Sequence, residues 1–451
     1  MLFTPKKDPK TNEYLVYDGT GKLIGKEIDN LVYSLDKSAV LGISENYRDD
    51  KKFIICPGTK RIETCAFFKE NHIEEVILPP SLESIGRQAF AYSNLKKINL
   101  DNVIHYGSSA FASSKLSGEI TINKNAKFDL NQDDNACTFS DCLISKMNFG
   151  PSVVLPSLCD FCSNLEEVVF TGPLRRIHSF AFSNSGLKKI EFPDTLEDID
   201  SHAFRNTNLI TVSFPAKLEH LGRGAFGKCS DLENIYFNPN GKTKLSIEER
   251  CFAASSVVSA EIPSNATVLG EKIFSDCQNL IILKINAPID TIPIGMAENC
   301  TKLKDIFLNE NIKEINSSAF TNTGLERVDE QFRNIESFKR GCFYGCENLT
   351  FVHIPKNSRL DKNIFLECKN LDLLIAENTL IDEKTFTGMP SDTIILVSNS
   401  DSIPESIKLS YHIIDIKDAS QELIDKILKY MSFREFSKIF SFPDKDVSII
   451  K

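Results

Sequence analysis

A small residue followed by an aromatic one recurs along this chain about every 22 residues, and that period limits the fold more than any other feature. The aromatic falls at Phe67, Phe90, Phe111, Phe139, Phe182, Phe204, Phe226, Phe252, Phe274, Phe320, Phe343, Phe365 and Phe386. Asp160 (beside Phe161) and Ala297 (beside Met296) keep the register in two further units. The fifteen markers lie 21 to 28 residues apart, within residues 60–397. A period in this range belongs to a solenoid, in which no unit can bury its apolar face alone and each relies on its neighbours.

Aligning LGRGAFGKCSDLENIYF (221–237) with IGRQAFAYSNLKKINL (85–100) gives the unit I-x-x-I-x-x-x-A-F-x-x-C/S/T-x-x-L-x-x-I-x-I-P. Its L-x-x-I-x-I portion predicts a short strand with alternate side chains inward. Pro79, Pro193, Pro215, Pro263 and Pro355 sit at or just after strand ends, where a missing N–H is tolerated. Stacked units would place Ile on Ile and Phe on Phe at about 4.8 Å per strand, making one continuous core.

This unit resembles the BspA-like class of leucine-rich repeats, and the resemblance covers about three quarters of the chain. It implies a repeat solenoid, a leucine-rich repeat horseshoe with a parallel sheet on its concave face. It also implies non-catalytic recognition of other proteins, typically in surface adhesion. The segment LVYSLDKSAVLGI (31–43) is similar to the strand pair that often precedes such arrays.

The ends depart from the repeat. Residues 1–55 predict hairpins around Asp18-Gly19 and Asp36-Lys37, an N-terminal cap that covers an otherwise open sheet edge. Residues 56–415 form the solenoid. Residues 416–451 change to helical periodicity, with apolar residues at 423, 424, 427, 428 and 431. Asp418 with Gln421 forms a candidate capping box. Two readings stand for this segment: a helical cap over the last unit, or a docking helix for a second protein, similar to the first half of an F-box.

Several motifs suggest chemistry and lose it in context. LGRGAFGKC (221–229) resembles a kinase glycine loop, but the lysine strand, the H-R-D loop and the D-F-G site that a kinase needs are missing from the sequence. Cys159-Asp-Phe-Cys162 has no second cysteine pair for zinc. Cys142, Cys229, Cys277, Cys300, Cys346 and Cys368 fall three residues after the marker, where other units carry Ser or Thr. A column of small, weakly polar groups reads as an inward ladder of free thiols and hydroxyls. No catalytic residue, cofactor or metal is expected.

With 52 basic and 62 acidic residues the net charge is −10, and no basic run offers nucleic acid a face. The N-terminus lacks an apolar stretch of signal-peptide length, and no membrane span is expected. Location therefore reads as cytoplasmic from the residues and as cell surface from the resemblance.

Binding is expected on the outward positions of the predicted strands, in a column through Ile77, Asn99, Thr121, Asn148, Val169, Glu191, Ser213, Tyr236, Glu261, Lys284, Phe307, Asp329, His353 and Ile375. A neighbouring column adds Ile282, Phe351 and Leu373. Apolar and aromatic residues gather toward the C-terminal half. The candidate partner-binding set on the concave face is Tyr236, Ile282, Lys284, Phe307, Phe351, His353, Leu373 and Ile375, for a protein ligand. The alternative is that these side chains pack on one another.

Overall fold

The computed structural model describes residues 2–45, 50–377, 379, 384–398 and 403–430, in two compact units, Met1–Ser255 and Ser256–Lys451. Both are built from stacked turns of parallel strand.

The first unit begins with an antiparallel meander. Tyr14–Tyr17, Leu23–Ile28, Leu31–Ser34 and Ala39–Ser44 pair in chain order, with Lys26 opposite both Leu15 and Tyr33. The Asp18 carboxylate closes the first hairpin by accepting the N–H groups of Thr20 (2.9 Å) and Lys22 (3.0 Å). The last of these strands then pairs in parallel with Arg61–Ile62, so the meander feeds directly into the repeat.

Between residues 52 and 360 each turn contributes two strands, one more than the sequence pattern predicts. The longer is the expected L-x-x-I-x-I strand, as in Thr211–Phe214 and Asn234–Phe237, or in the second unit Ile282–Ile285 and Asp305–Leu308. The shorter lies at the I-x-x-I end of the unit and is only two residues long in Arg176–Ile177, Asp198–Ile199 and His220–Leu221. Two residues carry no alternation from which a strand could be read. In the shorter-strand sheet Gly222 is required by close approach: a Cβ there would lie 2.5 Å from the Ser201 nitrogen.

Between the two strands the marker turn adds its own ladder. Cys65, Phe67 and Lys69 donate their N–H groups to the carbonyls of Arg87, Ala89 and Ala91 in the next turn, at 2.7–2.9 Å. Ala66 and Phe68 bond locally instead. The alternation needs left-handed backbone at Cys65 (φ 56°) and Lys69 (φ 59°). Ser318, Phe320 and Asn322 repeat it in the second unit, donating to Arg340, Cys342 and Tyr344.

The marker side chains form the core. Phe67, Phe90, Phe111 and Phe139 stack face to face with centroids 4.8, 5.4 and 5.3 Å apart. In the second unit Phe320, Phe343 and Phe365 do so at 5.9 and 6.0 Å. One register expectation is corrected: Cys159, not Asp160, fills the marker position. Its N–H donates to Ala181 as that of Phe182 does to Ala203, and it is buried, whereas Phe161 faces outward with a left-handed φ of 61°. Leu158 stands where Ala usually does, so a large-small pair replaces a small-large one at similar volume. Met296-Ala297 makes the same exchange.

All thirteen cysteines are free thiols. The ladder has a directional rule that depends on reach. Hydroxyls donate to the marker carbonyl of their own turn: Ser93 to Phe90 (2.7 Å), Thr207 to Phe204 (3.0 Å), Thr323 to Phe320 (2.9 Å). Thiols donate to that of the preceding turn: Cys142 to Phe111 (3.1 Å), Cys229 to Phe204 (3.1 Å), Cys346 to Phe320 (3.2 Å). Burial pushes the Cys142 and Cys251 thiols well up from their ordinary range.

Candidate protein-binding face

The outward side chains of the longer strands define the face expected to bind. In the first unit it is mainly polar. Asn148 donates to Glu119 (2.6 Å) and Thr121 (3.3 Å), and Lys146 pairs with Glu167 (3.2 Å). Tyr236, opposite Ser213 in register, is the large exception at 57% exposed.

The same unit holds a concentration of titratable groups on its shorter-strand sheet. Asp200 accepts from Arg176 through Nε (3.1 Å) and Nη2 (3.0 Å) and pairs with His178 Nδ1 at 3.0 Å. His220 Nε2 reaches Glu248 at 2.9 Å. Burial alone would raise the Asp200 carboxyl, but His178 and Arg176 together hold it below the ordinary value. This is a paired ion network, away from the longer-strand face. Among the described residues no group of three or more His, Cys, Asp or Glu could hold a metal ion.

In the second unit the face has two characters. On Ser259–Ile262, Ile282–Ile285 and Asp305–Leu308 it is open. Glu261, Lys284 and Phe307 lie in register, with Lys284 Nζ 3.0 Å from Glu261 Oε1. Phe307 is 47% exposed and Ile282, diagonal to it, 37%. Beside Phe307 a shallow groove is lined by Glu310, Ile312, Glu330, Arg333 and Asn334.

On Phe351–Ile354, Leu373–Ala376, Ile394–Val397 and His412–Asp415 the face is covered. Three of the expected binding residues, Phe351, Leu373 and Ile375, are completely buried, which corrects their expected exposure. The cover is the C-terminal segment. Its helix, Gln421–Ile427, lays Leu423, Ile424 and Ile427 on Phe351, Leu373, Ile375 and Leu396. Tyr430 stacks on Phe351 at 4.8 Å, and Lys426 and the Tyr430 hydroxyl both reach the Asp372 carboxylate. Arg327 lies 5.7 Å from the Phe351 ring and donates to the Tyr430 carbonyl. The helix is capped by Ser420, whose hydroxyl accepts from Leu423 N at 3.3 Å, and not by Asp418, which lies in a preceding 3-10 turn. The helical pattern after residue 430 lies outside the described residues.

His353 is partly buried, with Nε2 3.1 Å from Glu377. Within the second unit, Ile282, Lys284 and Phe307 share one open patch, whereas Phe351, Leu373 and Ile375 lie under the helix. Leu396 and Asp372 complete the covered strip and were missed. Extending the outward alternation by one strand finds Leu396, since it follows Ile375 in register.

Comparisons with known proteins agree with this architecture. The BspA type leucine rich repeat region, in 6 copies, matches residues 46–159, 155–281, 241–350 and 336–437. No curated protein matches the sequence. A leucine-rich repeat protein from Bacteroides ovatus is similar in structure at 19% identity, covering 88% of this chain and 98% of its own, with a TM-score of 0.62. A leucine-rich cell surface protein from Faecalibacterium prausnitzii is 16% identical over 90% of this chain and 97% of its own, with a TM-score of 0.36. The pneumococcal vaccine antigen PcpA is 16% identical over 87% and 99%, with a TM-score of 0.44. At 19% identity the likeness to the Bacteroides ovatus protein concerns the fold alone.

Proposed function

Because the chain belongs to the BspA-type leucine-rich repeat family, we propose that it is a non-catalytic recognition protein that binds another protein through the outward face of its longer strands. The observation that carries this reading is the open patch of Ile282 and Phe307. A large aromatic and a β-branched residue stand partly exposed on neighbouring strands held in parallel register, so partner contact needs little ordering of the face. Lys284 and Glu261 supply a polar rim beside them. Among the described residues no helix is long and apolar enough to cross a membrane. Display at a cell surface, in adhesion, is the setting we favour by analogy with the family.

The test is recovery of partners from cell extract and from intact target cells, with the native chain and with Ile282→Ala/Phe307→Ala. Loss of the partner with the thermal transition essentially unmoved supports the reading. Equal recovery by both proteins overturns it. Protection of the protein from protease added to intact producing cells would remove the surface setting and favour an intracellular adaptor. In that adaptor the C-terminal helix could recruit a second protein only by giving up the packing of Leu423, Ile424 and Ile427.

A further inference from the structure

We propose that the strip formed by Phe351, Leu373, Ile375 and Leu396 is a receptor for an amphipathic helix, occupied in this structure by the chain's own C-terminal segment. Its partner is a protein whose helix carries the same pattern and takes that segment's place. The inference rests on the reading that the longer-strand face binds protein, and it specifies the chemistry recognised there.

The strip is built differently from the face beside it. Outward positions at Glu261, Lys284 and Asp305 are charged, as suits a wet strand surface, whereas on three successive strands here every outward position except His353 carries a large apolar side chain. Charged and hydrogen-bonding groups stand at its edge. Asp372 receives both Lys426 and Tyr430, and Arg327 meets the carbonyl end of the segment. Read from its occupant, the receptor selects apolar residues at i, i+1 and i+4, a cation at i+3 and an aromatic at i+7, as Leu423, Ile424, Ile427, Lys426 and Tyr430 supply them. Such spacing is how a groove reads a helix.

The occupant is held in a way that permits exchange. Among the described residues, no backbone-to-backbone hydrogen bond joins residues 419–430 to the sheet beneath, so the segment can leave without breaking a strand pair. Its helix is seven residues long, too short to persist alone in water, so docking must order it each time. That ordering lowers its affinity. The tether compensates with an effective concentration on the order of 1 mM. A free partner at ~10 μM must therefore bind about 100-fold more tightly than the resident segment does on its own. A longer helix of the same pattern, or one already folded in its parent protein, meets that requirement.

The probe is a fluorescent synthetic peptide of residues 418–440, used with the full chain. The native protein should bind it weakly. Ile427→Asp, which loosens the resident helix, should bind it at least 10-fold more tightly, and adding Phe351→Ala should abolish that gain. Because Ile427→Asp could disturb the last turns, two measurements use the unaltered chain. The amides of Ile424 and Leu428 should exchange with deuterium far faster than that of Leu374. A peptide with benzoylphenylalanine in place of Tyr430 should crosslink to residues 350–354. If those amides exchange as slowly as the strand amide and no crosslink forms at millimolar peptide, the segment is a fixed cap and the proposal fails. Ile282→Ala/Phe307→Ala should leave peptide binding unchanged, so failure here is distinguishable from failure of the open patch.

Discussion

The rings of Phe351 and Tyr430 lie parallel, 5° apart in plane, with the strand side chain fully buried by the tail that returns over it. Truncating Phe351 to alanine opens a cavity and should cost about 3–5 kcal/mol. Tyr430→Ala should cost much less, because part of that ring already faces water. A double-mutant cycle should give a coupling of about 0.5–1.5 kcal/mol between them, the range for a stacked aromatic pair. Denaturant melts followed by a probe in the second unit measure it; additive effects would mean that the stacking contributes nothing beyond area.

The marker turns predict a reversal of the usual order of residue preference. Ser318 has φ 56°, where a β-branched side chain is strongly disfavoured and glycine is at ease. Ser318→Val should lower stability by about 1–3 kcal/mol, while Ser318→Gly should be neutral or slightly favourable. Equal melting temperatures for the two variants would contradict the left-handed assignment. A related case is Gly224, also left-handed, where a Cβ would stand 2.7 Å from the His202 ring. Gly224→Ala should be destabilising, and less so alongside His202→Ala.

Thiol chemistry should sort the cysteines cleanly. Cys56, Cys65 and Cys137 are partly accessible and the other ten are buried. Native protein treated with a thiol reagent should label three residues quickly, and the rest only on unfolding. Mass spectrometry of the labelled sites checks this.

The shared carbonyl of Phe204 makes a sharper test of the ladder. Thr207 and Cys229 both donate to it, and they lie 3.3 Å from each other. Either Thr207→Val or Cys229→Ala should cost about 1 kcal/mol, because one donor remains. The double variant removes both and should exceed the sum of the singles. Simple additivity in equilibrium melts would show that the two bonds act independently.

Asp200 sets an acid limit for the first unit. Its folded carboxyl sits below the ordinary value, so its contribution is complete above about pH 3.9 and is lost as pH falls through the lower folded value. Asp200→Asn should be less stable than the native protein at pH 7. The gap should narrow as pH drops below about 3.9. A constant gap down to pH 2 would mean that the carboxylate's charge is not what His178 and Arg176 recognise.

Much of this was legible in the sequence, because each column repeats. The phenylalanine stack, the thiol–hydroxyl column and the longer strands all follow from aligning units such as 85–100 and 221–237. The two-residue strands were not legible, nor was the Leu158-Cys159 exchange, since volume conservation across a pair leaves no residue-type signature. The largest gap concerns the binding face. Strand alternation identifies Phe351, Leu373 and Ile375 as pointing off the sheet, and they do. Whether such a position meets water depends on what chain returns to it. Here that is a helix beginning at Gln421, from a segment whose periodicity reveals an apolar side but not the surface it seeks.

The left-handed turns have a consequence for how this chain can change. Among the described residues thirty non-glycine residues occupy such backbone, including Cys, Gln, Ser, Tyr, Phe, His, Arg, Lys, Asn and Glu, yet none of them is Val, Ile or Thr. Chemical identity there is nearly free while branching at Cβ is forbidden. The outer rim can thus be rewritten in charge, polarity or aromaticity without retuning the core, provided that one stereochemical rule is kept. A lineage of such proteins could diversify its outer surface quickly while the stack beneath stays readable, turn by turn, in the same frame.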